Sequence, residues 1–167
     1  MKFSPAKLLL LIALVLGGWW GWRVLFPSPE AVIRSNLVSL AKAASFASSQ
    51  GTVARLYSAQ KVPDYFTTDV VIDVGSLGFG ELQTVNGRDE IQQAVLLARK
   101  NWKAMKVELL DINVTIAPDG QTATADLTGK ASVPGEKEFF VQEFNFRLRK
   151  VEGKWLIYRV DPVKTLS

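Results

Sequence analysis

Cysteine and histidine are both absent from the 167 residues. Without thiols there is no disulfide framework, no thiolate metal centre and no acylated lipoprotein cysteine. Without imidazole the chain lacks the commonest general base and the commonest metal ligand. Ser–His–Asp, Cys–His and zinc arrangements are therefore excluded. No acidic spacing resembles a calcium loop. Gly78-Phe79-Gly80 lacks the third glycine and the following helix of a dinucleotide loop. No cofactor and no metal are expected. An excess of one charge is also missing from most of the chain. The formal net charge is +4, but Lys2, Lys7 and Arg23 precede every acidic residue, and without them 17 basic groups face 16 acidic ones. Nucleic-acid binding needs a concentrated basic face. The clusters Arg99, Lys100, Lys103, Lys106 and Arg147, Arg149, Lys150, Lys154 read instead as a solvated helix end and a strand edge.

What is present is a hydrophobic content of 48%, enough for one domain with a real core plus a short appendage. The appendage comes first. Leu8 to Trp22 carries no charge, and extended to Phe26 it would form a helix of roughly 28 Å at about 1.5 Å per residue, long enough to span a bilayer. Trp19, Trp20 and Trp22 suit the far interface, and Arg23 can snorkel there. Lys2 and Lys7 favour an N-terminus in the cytoplasm. A cleaved signal peptide is the rival reading, but the tryptophans occupy the place where a small-x-small cleavage site belongs. The expectation is an anchor at residues 1–27 and an extracytoplasmic domain at 28–167, periplasmic if the cell is bacterial.

Pro27-Ser28-Pro29 ends the span and starts a new helix with Ser28 as its cap. Ile33, Leu37, Leu40 and Ala44 give that helix one apolar stripe. A short helix follows from about Thr52 to Gln60. Thr68–Gly75 reads as a strand, Ser76–Gly80 as a glycine-rich loop and Glu81–Val85 as a short strand. Asn86-Gly87 turns into a third helix, with Asp89 and Glu90 at its positive end and a stripe of Ile91, Val95, Ala98 and Trp102. The remainder is a meander: Lys106–Ala117, Thr122–Val133, Glu138–Lys150 and Lys154–Val160. Leu110, Ile112, Val114 and Ile116 are expected to share one face. In the third of these strands Phe140, Phe144, Phe146 and Leu148 share a face that also holds Gln142, so the sheet is half-buried and helices must roof its aromatic side.

The order helix, short helix, strand, strand, helix, long meander, with "YFTTDVVIDV", "NGRDEI" and "GKWLIYRV" at corresponding places, resembles the nuclear transport factor 2-like (SnoaL-like, cystatin-like α+β cone) superfamily over about Pro29 to Pro162. The resemblance implies an α+β fold, a curved mostly antiparallel sheet wrapped around helices, here behind one N-terminal transmembrane helix. It also implies a conical pocket, without fixing a chemistry.

Two function classes follow. The leading one is a membrane-anchored domain acting in binding or envelope-complex assembly. The alternatives are a ketosteroid-isomerase-like pocket enzyme and a non-catalytic hydrophobic-ligand carrier. Asp69 and Asp73, four apart on one strand, share a face and are the candidate general bases, since burial raises a carboxylate toward neutrality. The alternative places one in solvent and pairs the other with an arginine such as Arg159. Tyr57, Tyr158 and Gln142 are the candidate ligand contacts, with Gln142 satisfied by a backbone group as the alternative. Expected partners are the membrane through Leu8–Phe26, a homodimer or envelope complex, and a small hydrophobic ligand; no nucleic acid is expected. Val141, apolar on the polar sheet face, hints at a contact there.

Overall fold

A computed structural model describes residues 27–74, 84–135 and 139–163, with residue 15 in isolation. The expected anchor at Leu8–Phe26 and the expected loop at Ser76–Gly80 lie outside the described residues. Among the described residues no helix is long and apolar enough to cross a membrane.

Helix α1 (Pro29–Ala44) starts as its sequence dictates. Pro29 occupies the first turn, Ser28 Oγ accepts a hydrogen bond from the Ala31 N–H at 3.3 Å, and Glu30 faces the positive end of the helix dipole. Its buried residues are Ile33, Leu37, Leu40 and Ala41, so the stripe closes on Ala41 where Ala44 was expected. Helix α2 (Thr52–Lys61) leads through a 3-10 turn (Val62–Tyr65) into strand β1 (Phe66–Asp73). A short β2 (Thr84–Asn86) precedes helix α3 (Gly87–Asn101). Gly87 has φ +73, and a Cβ there would meet the Thr68 carbonyl at 3.3 Å, so glycine is required at this junction. The Asn86 N–H donates to the Glu90 carboxylate at 2.6 Å, which closes the helix start. Trp102, expected inside α3, instead caps its end in an extended conformation and is exposed.

The meander follows as β3 (Lys106–Ile116), β4 (Thr122–Ser132), β5 (Phe139–Val151) and β6 (Lys154–Pro162). The sheet runs β2-β1-β6-β5-β4-β3. All neighbours are antiparallel except β1 and β6, which are parallel. The parallel pair joins strands far apart in the chain, with β2, α3 and β3–β5 between them, as parallel neighbours need a long crossover and not a tight turn. α1 packs over the concave side. Ile33, Leu37, Leu148 and Val70 are almost fully buried there, each worth about 1.5–3 kcal/mol of hydrophobic burial. Ala123, Ala125 and Gly129 leave room on β4 for the aromatics of β5; the Phe144 ring lies directly over Gly129, where an added Cβ would approach it to 2.8 Å.

One register expectation is corrected. Leu110 does not share the face of Ile112, Val114 and Ile116. Asp111 has φ +52, and the pairing shifts between Leu110↔Thr128 and Asn113↔Asp126. One extra residue therefore sits in β3 as a bulge, and side-chain alternation restarts. Leu109 joins the core, whereas Leu110 is exposed.

Candidate functional site

The candidate site is built where the end of α1 meets the start of β3. Ser45 stops α1 and stitches the two together. Its hydroxyl donates to the Ala41 carbonyl at 2.7 Å and accepts from the Val107 N–H at 2.9 Å. The next residue, Phe46, exchanges two backbone hydrogen bonds with Met105, both 2.9 Å. Beside this seam lies an open groove of about 590 Å³. Val38 and Ala41 of α1 form one wall, Val107 and Leu109 of β3 the other, with Phe46 and Met105 between them. Polar side chains stand at the rim. Lys106 pairs with Glu108 at 2.8 Å, which holds the Glu108 carboxyl below its ordinary value. Lys42, also on the rim, has no carboxylate partner among the described residues. This is an apolar cleft with few polar groups, the usual composition of a small-molecule site.

Phe46 is held from behind by two arginines. The guanidinium groups of Arg55 and Arg99 each lie 5.2 Å from its ring centre. Neither is paired with an acid among the described residues. Instead they bind backbone carbonyls and a hydroxyl: at the ends of α1 and α3, Arg99 donates to the Ala43 carbonyl and Arg55 to those of Arg99 and Trp102, while within α2 Arg99 donates to the Arg55 carbonyl and the Ser58 hydroxyl. The carbonyl ends of α1 and α3 carry partial negative charge, so guanidinium forks replace carboxylates as counterparts here. Burial, with the Arg55 charge as the second cause, pushes Arg99 below its ordinary value.

The residues singled out from sequence are elsewhere. Asp69 ion-pairs with Arg149 at 2.5 Å and is well exposed. That hydrogen bond holds its carboxyl below the usual range, the opposite of what a base poised near neutrality needs. Tyr158 lies on the same side, its ring 5.4 Å from the Arg149 guanidinium. Val71 pairs with Arg159 across the parallel strands, so Asp73, two residues on, shares the Arg159 face. Arg159 donates to both oxygens of Asp161 at 2.8 Å, and Arg147 approaches the same carboxylate at 3.7 Å. Asp161 and, more weakly, Asp73 raise Arg159. This is a charge network on the outer sheet face, with Asn145 bonded to Asp126 beside it.

Gln142 does sit in the inward row, opposite Gly129. Its amide donates to the Val163 and Glu143 carbonyls at 2.8 and 3.0 Å, tying down the segment after β6. Tyr57 projects from the outer side of α2 and is exposed. The structure thus brings Asp69 and Tyr158 together, but away from the groove and from Tyr57 and Gln142. Val38, Lys42 and Met105 were missed because a groove between a helix end and a sheet edge has no local pattern. The available signal was an apolar Val38 just off the buried stripe.

The architecture is that of an α+β cone, a curved sheet closed over a long helix. The family of SnoaL-like domains matches residues 42–161, and the chain belongs to it. Among solved structures, an NTF2-like protein of unknown function from Pseudomonas putida superposes with TM-score 0.62 at 13% identity, over 83% of this chain and 87% of that one. A protein from Novosphingobium aromaticivorans, provisionally named an aromatic ring hydroxylase, gives TM-score 0.62 at 22% identity, over 83% and 91%. Another from the same organism, provisionally named a scytalone dehydratase, gives 0.59 at 11%, over 81% and 83%. At these identities the likeness is one of fold. A search of curated protein sequences gives no match.

Proposed function

We propose that the chain is a membrane-tethered, extracytoplasmic SnoaL-like domain that binds a small hydrophobic ligand without transforming it. The groove beside Phe46 carries the reading: it is apolar, about 590 Å³ in volume, and its one rim carboxylate, Glu108, is already paired with Lys106. The tether is supported by the charge-free run Leu8 to Trp22. The catalytic alternative, with Asp69 or Asp73 as general base, draws support from the provisional enzyme names of two relatives. Against it, Asp69 is neutralised by Arg149, and Asp73 shares the face of Arg159. Assembly into an envelope complex is compatible with binding and needs only the outer sheet face, where Val141 is exposed.

The test is native mass spectrometry of the full-length chain released from its membrane. The wild type should retain an apolar adduct that Val38→Trp, which fills the groove from an already exposed position, no longer holds. A wild type without adduct, or an adduct unchanged in Val38→Trp, would refute the groove as the binding site. The tether is checked separately: the chain should pellet with membranes, and protease added to spheroplasts, whose inner membrane is intact, should digest the domain.

A further inference from the structure

Helix α2 is built inside out. Val53, Leu56 and Tyr57, spaced to form one face, are 82%, 50% and 61% exposed. The side turned to the protein carries Ala59, the one buried residue of the helix, together with Arg55 and Ser58, which are engaged with α3. Leu97 on α3 and Trp102 just past its end are exposed as well. A helix held only for its own domain would turn its apolar stripe inward.

The charges around this face have one sign. Residues 31–63 hold Arg34, Lys42, Arg55 and Lys61 and no acid, and residues 91–107 hold Arg99, Lys100, Lys103 and Lys106 and no acid. Arg55 and Arg99 are turned inward to carbonyls, which leaves Lys61, Lys100 and Lys103 exposed around the apolar residues. Lys61 lies 4.4 Å over the Tyr57 ring, with its stem along the aromatic face. The nearest acids in sequence bound the patch: Asp64 follows α2, Asp89 and Glu90 begin α3 at its other end, and Glu108 is paired with Lys106.

We infer that the outer face of α2, with Leu97, Lys100, Trp102 and Lys103, docks on the anionic bilayer to which the chain is tethered. The inference rests on the tether proposed above. Aliphatic side chains beside an aromatic ring and lysines that can snorkel are the composition of an interfacial helix, and a uniformly basic surround complements anionic headgroups. Reach agrees. Only Pro27 and Ser28 separate the proposed span Leu8–Phe26 from α1, about 7 Å of extended chain, so the bilayer is the large surface closest to the domain. Phe46, Ala47 and Gln50, immediately before α2, line part of the groove, so docking would hold that part of it near the lipid.

The absence of cysteine makes the test clean. Leu56→Cys, Glu143→Cys and Ile12→Cys, each carrying a nitroxide, are reconstituted as full chains in vesicles of mixed phosphatidylglycerol and phosphatidylcholine, or of phosphatidylcholine alone. Accessibility to oxygen and to a water-soluble nickel chelate is read by power saturation. The label at 56 should favour oxygen in the anionic vesicles and return to nickel in the zwitterionic ones. The label at 143, on the outer sheet face, should favour nickel in both. Lys100→Glu with Lys103→Glu should return position 56 to nickel without changing the far-ultraviolet dichroism. A label at 56 that favours nickel in anionic vesicles overturns the proposal, and one screened from both reagents overturns it in favour of a protein contact. The tether has its own readout: nickel access at position 12 would refute it, and docking is then read from labelled chain added to preformed anionic vesicles.

Discussion

Asp111 decides which leucine of β3 enters the core. At φ +52 it stands in the left-handed region as the extra residue of the bulge, where a short polar side chain is tolerated and a β-branched one is not. Asp111→Gly should leave stability unchanged or slightly raised, and Asp111→Val should lower it by about 1–2 kcal/mol, measured by urea unfolding of the full chain in detergent. Asp69 sets a second expectation at this scale. Its carboxyl is held below the ordinary value by the Arg149 hydrogen bond. A carboxylate depressed on folding contributes stability above its unfolded value, and that contribution disappears as pH falls through the folded one. Asp69→Asn should therefore melt below the wild type at neutral pH. The difference should shrink once pH drops below the ordinary carboxylate range near 3.8, and a gap that persists there would show that the pair is not its source. Because the pair is exposed, the effect should be small.

Among the elements, the junction of α1, α2 and α3 depends on two arginines that serve as counterparts to helix carbonyls. Arg99→Lys keeps the charge but not the fork that reaches Ala43, Arg55 and Ser58 together. A loss of about 2 kcal/mol is expected, the scale of a charged hydrogen bond, seen as a lowered thermal midpoint and a loosened Phe46. The helices and strands were largely legible in the sequence because their periods are local. Ser28 and Pro29 announced α1, Asn86-Gly87 announced α3, and alternating aromatics announced β5. The bulge was not legible: a single shift of period inside "LLDINVTI" looks the same whether Leu109 or Leu110 faces inward. Nor was the use of Arg99, whose sequence neighbours suggest only a basic helix end. The groove was the least legible part, since Val38 and Met105 become neighbours only when α1 crosses β3. Asp69 and Asp73 drew attention by their spacing, but spacing fixes a shared face and not which face.

At the scale of the whole molecule, the cone divides its labour between two sides of one sheet. The concave side is filled by Phe146, Leu148, Trp155 and α1, apart from the groove at the α1–β3 seam. The outer side carries the ion pairs of Asp69, Arg149, Arg159 and Asp161. The account therefore separates binding from the carboxylates, and one measurement addresses that separation directly. Full-length chain is titrated with a fluorescent fatty-acyl probe, comparing the wild type, the Asp69→Asn Asp73→Asn double variant and Val38→Trp. The account predicts equal affinity for the first two and a loss of at least tenfold, about 1.4 kcal/mol, for Val38→Trp. Binding abolished in the double variant and intact in Val38→Trp would contradict it.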